Sequence, residues 1–510
     1  MRVITFMNKK HVIAVIAILI IICAGAFLLM NSNGTATKSI SVDANALEDR
    51  GNLVVDSESL DESNGNYHTD SADVNSILIK NGGALKLANS IIDKRGDTAT
   101  SGDDADFYGV NSAILVNTNG TLDISNVEIN TNSKGSNGIF VTNAEASSTS
   151  SGESSQGSGE GGQPPEAQGG NGAPDGNGGG QPPEAQGGNG APDGNGGGQP
   201  GQTTVDGTTE ATIKNVKITT HSDKSRGLDA TYNGIINAEN VIINTDGQSC
   251  AALATDRGEG QVHVKNSEIN TGVSKDSGRG SPLIYSTGNI TAENTKGTSF
   301  VSQIACIEGK NSIELTNCDM TGYAEGNRQD GDAYVDLGGV FIYQSMSGDA
   351  DVGTSLFSAK NSKLAVAEDS SVYKEAPMFH VTNTACVIDL ENTDLSFGSG
   401  TFLEASGQNQ WGTVGSNGGS VELNTNNEKI DGNIIVDAIS SLNWTMKNTE
   451  FKGAINSTGN AAVNVGDGST WTLTGDSSVS SLSVSGTIDY GDYTLTANGK
   501  TYDSSNPFKG

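Results

Sequence analysis

The chain has 510 residues and a formal net charge of -31, with 60 acidic residues against 29 basic ones. Such a surface repels nucleic acid and anionic lipid headgroups, which excludes both as expected partners. Aromatics make up only 5% of the residues and glycines number 68, a composition suited to a long narrow core of Ile, Val, Leu and Ala rather than one globular centre.

The N-terminus carries Arg2, Lys9 and Lys10 ahead of the apolar run HVIAVIAILIIICAGAFLLM at 11–30. Val12 to Met30 is 19 residues without a charge, enough to cross a bilayer. The basic flank precedes it, so the rest of the chain is expected outside the cytoplasm. The run reads as an anchor that joins the protein to the membrane, or as a signal peptide cut at Ala24-Gly25-Ala26 to give a secreted form. With the short stalk it forms a first region, 1–36.

The next region, 37–145, opens on short alternating strands such as NSILIKNGGALKLANS. Between them lies SGDDADFYG, whose Asp103, Asp104 and Asp106 lack EF-hand spacing and are expected as a solvated loop. At 146–204 the pattern stops. QPPEAQGGNGAPDGNGGG fills 163–180 and recurs without change at 181–198. Such a stretch has no core-forming residues and is expected to be a disordered insert.

From 205 to 460 one phrase dominates: Asn, a small residue, any residue, then Ile or Leu. It recurs in ATIKNVKIT, INAENVIIN, VHVKNSEIN, IELTNCDMT and IDLENTDLS, with an upstream copy in TLDISNVEIN. Asn215, Asn240, Asn266, Asn294 and Asn317 follow one another at intervals of 25, 26, 28 and 23 residues. A period in that range is the mark of a solenoid. The flanks alternate apolar and polar with period 2, so each turn is built of short strands with one buried face. Strands that repeat without helices stack as a parallel β-helix. The Asn residues, among them Asn126, Asn215, Asn240, Asn266, Asn317 and Asn392, are expected at the bends. There Asn tolerates the left-handed backbone, and its amide can donate to one neighbouring coil and accept from the other.

A second phrase lies between the Asn strands, in SRGLDATYNG, AALATDRGEG, SPLIYSTGNI, QIACIEGKNS and GVFIYQSMSGD. Stacked in register, its turns form one ledge carrying Tyr232, Asp256, Arg257, Tyr285, Glu308, Tyr343, Gln344 and Trp411. Ring faces beside hydrogen-bonding groups suit sugars. GNRQDGDAYVDLGG holds Asp330, Asp332 and Asp336, the set that would take Ca2+, the one cofactor the sequence suggests; Asp229 and Asp256 with Arg226, Arg257 and Arg279 form a second acidic group. The cysteines after Cys23, namely Cys250, Cys306, Cys318 and Cys386, show no metal-ligand spacing and are expected as apolar fillers. The last region, 461–510, is Ser- and Thr-rich and is expected to cap the solenoid.

SRGLDATYNG, CAALATDRGEG, SPLIYSTGNI and GVFIYQSMSGDA together resemble a group of adhesin-like bacterial surface proteins with the pectin-lyase-like right-handed β-helix. WTLTGDSSVSSLSVSGTI is similar to the terminal passenger coils of pertactin-like autotransporters, although no translocator barrel follows it. The resemblance implies an all-β, right-handed parallel β-helix that binds a glycan or a protein on a host or neighbouring cell, without catalysis. Two other readings remain open: a polysaccharide lyase or hydrolase of the same fold, and a structural spacer. Neither a nucleotide loop nor a G-x-S-x-G or zinc motif is present.

Overall fold

The computed structural model describes residues 51–99, 102–144, 206–275, 280–326, 336–345 and 347–509. The apolar run and stalk of 1–36, the insert of 146–204, Arg279, Asp330 and Asp332 lie outside the described residues. Among the described residues no helix is long and apolar enough to cross a membrane.

The chain is a parallel β-helix. Its strands assemble into sheets of sixteen, fourteen, ten and four strands, and each sheet takes every third strand in chain order, apart from the final strand of the chain, which joins the first sheet directly after its predecessor. One coil therefore places one strand on each of three sides. The first coil is Gly51–Asp56, Ser59–Ser63 and Asn66–Thr69. The first side carries the sixteen-stranded sheet and the second side the fourteen-stranded one. The third side is ten strands to Asp394–Ser396, then four from Lys429–Asp431 to Thr487–Asp489. About fifteen coils at ~4.8 Å each make a stack roughly 70 Å long.

Register holds across the insert. Ile139–Thr142 on the first side and Thr209–Lys214 on the second belong to one coil, because Ile139 pairs with both Ile114 and Leu228 while Thr212 pairs with both Asp123 and Asn237. Inward positions line up coil on coil: Ile114, Ile139, Leu228, Leu253 and Ile284 are register partners, all fully buried. Each such side chain contributes roughly 1.5–3 kcal/mol by leaving water. Further along the rings enlarge. Phe357, Phe379 and Phe402 meet edge to face at 5.5 Å, and Trp444 meets Phe451 at 4.8 Å. Cys250, Cys306, Cys318 and Cys386 are buried and unbridged. Burial pushes their thiols upward, Cys250 to about 12, so they stay protonated.

The end of the rod is an antiparallel pair, Leu495–Ala497 with Lys500–Tyr502. Asn498 and Gly499 between them have φ of 52° and 71°, as a two-residue type I′ turn requires. The returning strand covers the open edge of the first sheet.

One local expectation fails. SGDDADFYG is not a solvated loop: Gly102–Tyr108 is a short helix, and Asp106 is buried. Its partners come from a later coil.

Candidate functional site: a covered face and an open seam

The site region lies on the outer face of the first sheet. Alternation along Leu228–Thr231 turns Leu228 and Ala230 inward and Asp229 and Thr231 outward. Register then aligns Asp229, Ala254, Tyr285, Cys306, Phe341 and His380 into one outward column. Most of these outward residues are nevertheless buried. The short helix and the residues 344–345, 347–351 and 406–417 lie over them, so ionisable groups sit there with little water.

At one end Arg226 gathers three carboxylates. Its Nη1 is 2.9 Å from Asp106, Nη2 is 2.7 Å from Asp256 and Nε is 3.4 Å from Asp229. Lys224 reaches Asp106 at 2.9 Å. Three carboxylates thus face two cations, with Arg226 and the carboxylates buried and Lys224 partly exposed at the edge. Burial raises the Asp229 carboxyl to about 7 and raises Asp256 as well, with Arg226 opposing both. Arg226 itself is held firmly protonated.

Next along the rod, Tyr232 packs against Tyr108 with the rings parallel at 6.0 Å. Arg257 lies 3.9 Å above the Phe107 ring and pairs with Asp349 at 2.5 Å. Gly258, at φ +86°, leaves room for the Tyr232 ring, which a Cβ would meet at 2.3 Å.

The centre of the face is built on Glu308. Tyr285 Oη donates to its Oε2 at 2.9 Å, and Ser345 Oγ donates to its Oε1. Burial raises the Glu308 carboxyl, with the Ser345 and Tyr285 hydrogen bonds opposing. Tyr343 stacks on Phe341 at 4.7 Å and meets Trp411 at 4.8 Å. Trp411 Nε1 donates to Asp336 at 2.8 Å. His380 lies beyond, with Nδ1 on the Leu337 carbonyl at 2.9 Å and Nε2 on Gln408 at 2.9 Å.

The expected ledge residues therefore share one side of the rod but not one open surface. Tyr232, Asp256, Glu308 and Gln344 are buried; Arg257, Tyr285, Tyr343 and Trp411 are partly exposed. Asp336 is buried and serves Trp411. Among the described residues no group of three His, Cys, Asp or Glu side chains is placed to hold a metal ion. The ledge reading did not include Phe107, Phe341, Asp349 or His380. Carrying the period-2 alternation through VFIY and FHVT would have put Phe341 and His380 beside Tyr285.

The second feature is the seam where the second side bends into the third. Asn126, Asn215, Asn240, Asn266, Asn317 and Asn392 all sit there in the left-handed region, with φ from 52° to 55°. Each backbone N–H points along the rod; that of Asn240, for example, donates to Lys265 O at 3.1 Å. The side-chain amides form a ladder. Asn215 donates to Asn126 at 3.2 Å, Asn240 to Asn215 at 3.3 Å, Asn294 to Asn266 at 3.2 Å, Asn317 to Asn294 at 3.1 Å and Asn392 to Asn361 at 2.9 Å. Asn266 departs from the series and donates to Glu239 at 3.4 Å. Asn427, absent from the sequence reading, continues the ladder to Asn392 at 3.0 Å.

This seam is the floor of a shallow groove. One stretch of about 670 Å³ runs past Asn240, Asn266 and Asn294, and another of about 610 Å³ runs on past Asn361, Asn392 and Asn427; Asn317 and Asp319 belong to both. No family model matches the chain, and no curated protein matches it.

Proposed function

We propose that this chain is a non-catalytic, cell-attached binding protein that presents a right-handed β-helix to a glycan or to a protein on another cell. The basic flank and apolar run of the first thirty residues support an extracytoplasmic rod. The right-handed sense is the usual one for parallel strand connections. The observation that carries the binding reading is the pair of partly exposed rings Tyr343 and Trp411, 4.8 Å apart, backed by the hydrogen-bonding groups of Asp336, Gln344 and Glu308. Ring faces beside fixed polar groups are what sugar recognition needs, and the packed backing keeps their rotamers fixed before a ligand arrives. The experiment is a glycan and surface-protein screen on the full-length chain, repeated with Tyr343→Ala/Trp411→Ala. The expected result is loss of the bound ligand with the melting transition still cooperative. Unchanged binding would remove this face from the reading.

A second reading, a polysaccharide-active enzyme, is favoured by one observation: Glu308 is a buried carboxyl held toward its protonated form with a tyrosine hydroxyl at 2.9 Å, a pairing suited to general-acid work. Release of oligosaccharides by the wild-type chain, lost in Glu308→Gln, would turn the assignment from binder to enzyme.

A further inference from the structure

We propose that the Asn seam is a second binding site, separate from the covered face, and that it takes an extended, uncharged β-linked glycan lying along the rod.

The donors come first. An Asn amide has two N–H groups and an oxygen with two lone pairs. Where the ladder runs it uses one N–H of the amide, on the oxygen of the coil before it, as in Asn294 to Asn266 and Asn317 to Asn294. At Asn240, Asn266 and Asn294, all exposed, the other N–H and the remaining oxygen capacity are left to solvent. At Asn240 the oxygen is wholly available to the outside, because Asn266 donates to Glu239 instead. The result is a row of amide groups repeating once per coil, ~4.8 Å apart. An extended β-linked pyranose chain advances by a similar step per sugar and offers hydroxyls along its length, so successive sugars meet successive amides.

Charge then narrows the class. The residue two after each seam Asn lines the groove, as Glu268, Lys296, Lys363 and Asp394 do, and the residue before the Asn ends the neighbouring strand of the second side beside it. From Asn126 to Asn448 these two positions together carry equal numbers of lysines and carboxylates, in a chain whose total is -31; the groove floor adds one carboxyl, Glu428, which burial raises to about 7. The charges at the two positions also alternate in sign along the rod and pair off between coils: Lys265 with Glu293 at 3.1 Å, Lys296 with Glu268 at 2.8 Å, Lys360 with Glu391 at 2.9 Å, Lys217 with Glu128 at 3.0 Å. A polyanion finds no net positive field there, and a polycation no net negative one. An uncharged polymer with many hydroxyls meets neither penalty.

Rigidity completes the case. The seam backbone is fixed by inter-coil N–H bonds at every rung named here, so the amide row exists before binding, and ordering it costs a ligand little.

The test uses the full-length chain with cellohexaose and chitohexaose as uncharged β-linked probes and a galacturonic acid hexamer as the charged control, read by calorimetric titration. The central variant is Asn240→Gly/Asn266→Gly/Asn294→Gly. Glycine accepts the left-handed backbone, so the amides go while the bend stays; a melting transition that remains cooperative, if slightly lowered, verifies this. The expected result is binding of at least one uncharged hexamer, weakened tenfold or more in the glycine variant, with little binding of the acidic hexamer and no change in Tyr343→Ala/Trp411→Ala. Failure of both uncharged hexamers to bind overturns the proposal, as does binding that survives the glycine variant or an equal response to the acidic hexamer. Binding that vanishes only with Tyr343→Ala/Trp411→Ala assigns the ligand to the covered face and leaves the seam a structural bend.

Discussion

The outer face of the first sheet and the seam between the second and third sides are made by the same repeat, yet they use charge in opposite ways. On the covered face Asp229 and Asp256 are buried around Arg226, and the short helix adds Asp106. On the seam, lysines and glutamates pair coil to coil in open water, with Lys265 and Glu293 both well exposed. The difference is what lies over the strand. At the seam the chain turns through a single left-handed Asn and leaves nothing to cover its neighbours. On the first side, longer connections fold back over the sheet and exclude water. Coulombic attraction and desolvation are both large in the first place and both small in the second.

The largest expected effect follows from that contrast. Arg226→Ala leaves three carboxylates around an empty space and should destabilise the rod by about 3–5 kcal/mol, the cost of breaking a buried pair. Lys265→Ala should leave the denaturation midpoint where it was, since exposed pairs contribute about 0–1 kcal/mol. Chemical denaturation of both variants checks the comparison. Equal losses would show that the covered face is wetter than its packing implies.

Dependence on pH sharpens the same point. Asp229 titrates near 7 in the folded chain, well above the ordinary carboxylate range near 4, and so does Glu428 because its carboxyl is buried at the seam's inner wall. Between those values the folded chain holds protons that the unfolded chain releases. The stability these groups contribute is present below about pH 4 and lost as the pH rises through 7. The double variant Asp229→Asn/Glu428→Gln should therefore flatten the decline between pH 5 and 8 and melt higher than wild type at pH 8. A parallel decline in both proteins would place the titrating groups elsewhere.

The solenoid was legible because Asn, the small inward residue after it and the period-2 flanks recur in one local context. Asn427 escaped because Glu428 follows it where other coils place a small residue. That position has a job: Ser267 and Ser362 there accept the N–H of Val241 and Cys318 from the coil before, and Glu428 accepts that of Thr393 at 2.8 Å. The carboxylate replaces a hydroxyl, which the phrase alone did not reveal. The type I′ turn at Asn498-Gly499 was equally readable from its dipeptide. The covered face was not, because its contacts are long-range. Arg226 and Asp106 are separated by 120 positions with the insert between them, and no local pattern says that DDADFY folds onto a later coil. The ledge residues do share one side of the rod, but how far each is exposed depends on those covering segments.

A middle-sized effect is expected at Tyr285. Tyr285→Phe keeps the ring and removes the hydroxyl that donates to Glu308 at 2.9 Å. Ser345 still serves the other oxygen and Tyr343 also hydrogen-bonds to the carboxyl, so the change removes one of its donors where water is scarce. The expected cost is about 1–3 kcal/mol, read by denaturation. A neutral outcome would mean that solvent reaches Glu308, which would make the central face as open as the seam.

The smallest effect decides what the seam Asn residues are for. Two properties coincide at Asn240: a φ of 55° and an amide bonded to Asn215 at 3.3 Å. Alanine loses both, whereas glycine loses the amide but accepts the backbone freely. The left-handed conformation costs an ordinary residue about 1–2 kcal/mol, and Asn is among the few that tolerate it. The ladder bond is solvent-exposed, so water replaces most of it when it is removed. Asn240→Ala should therefore melt below wild type, and Asn240→Gly should fall between the two and nearer to wild type. Equal losses in both variants would assign the stabilisation to the amide ladder itself. In that case the amides spend their hydrogen-bonding capacity on one another, and the seam differs from the covered face in exposure but not in how fully its polar groups are used.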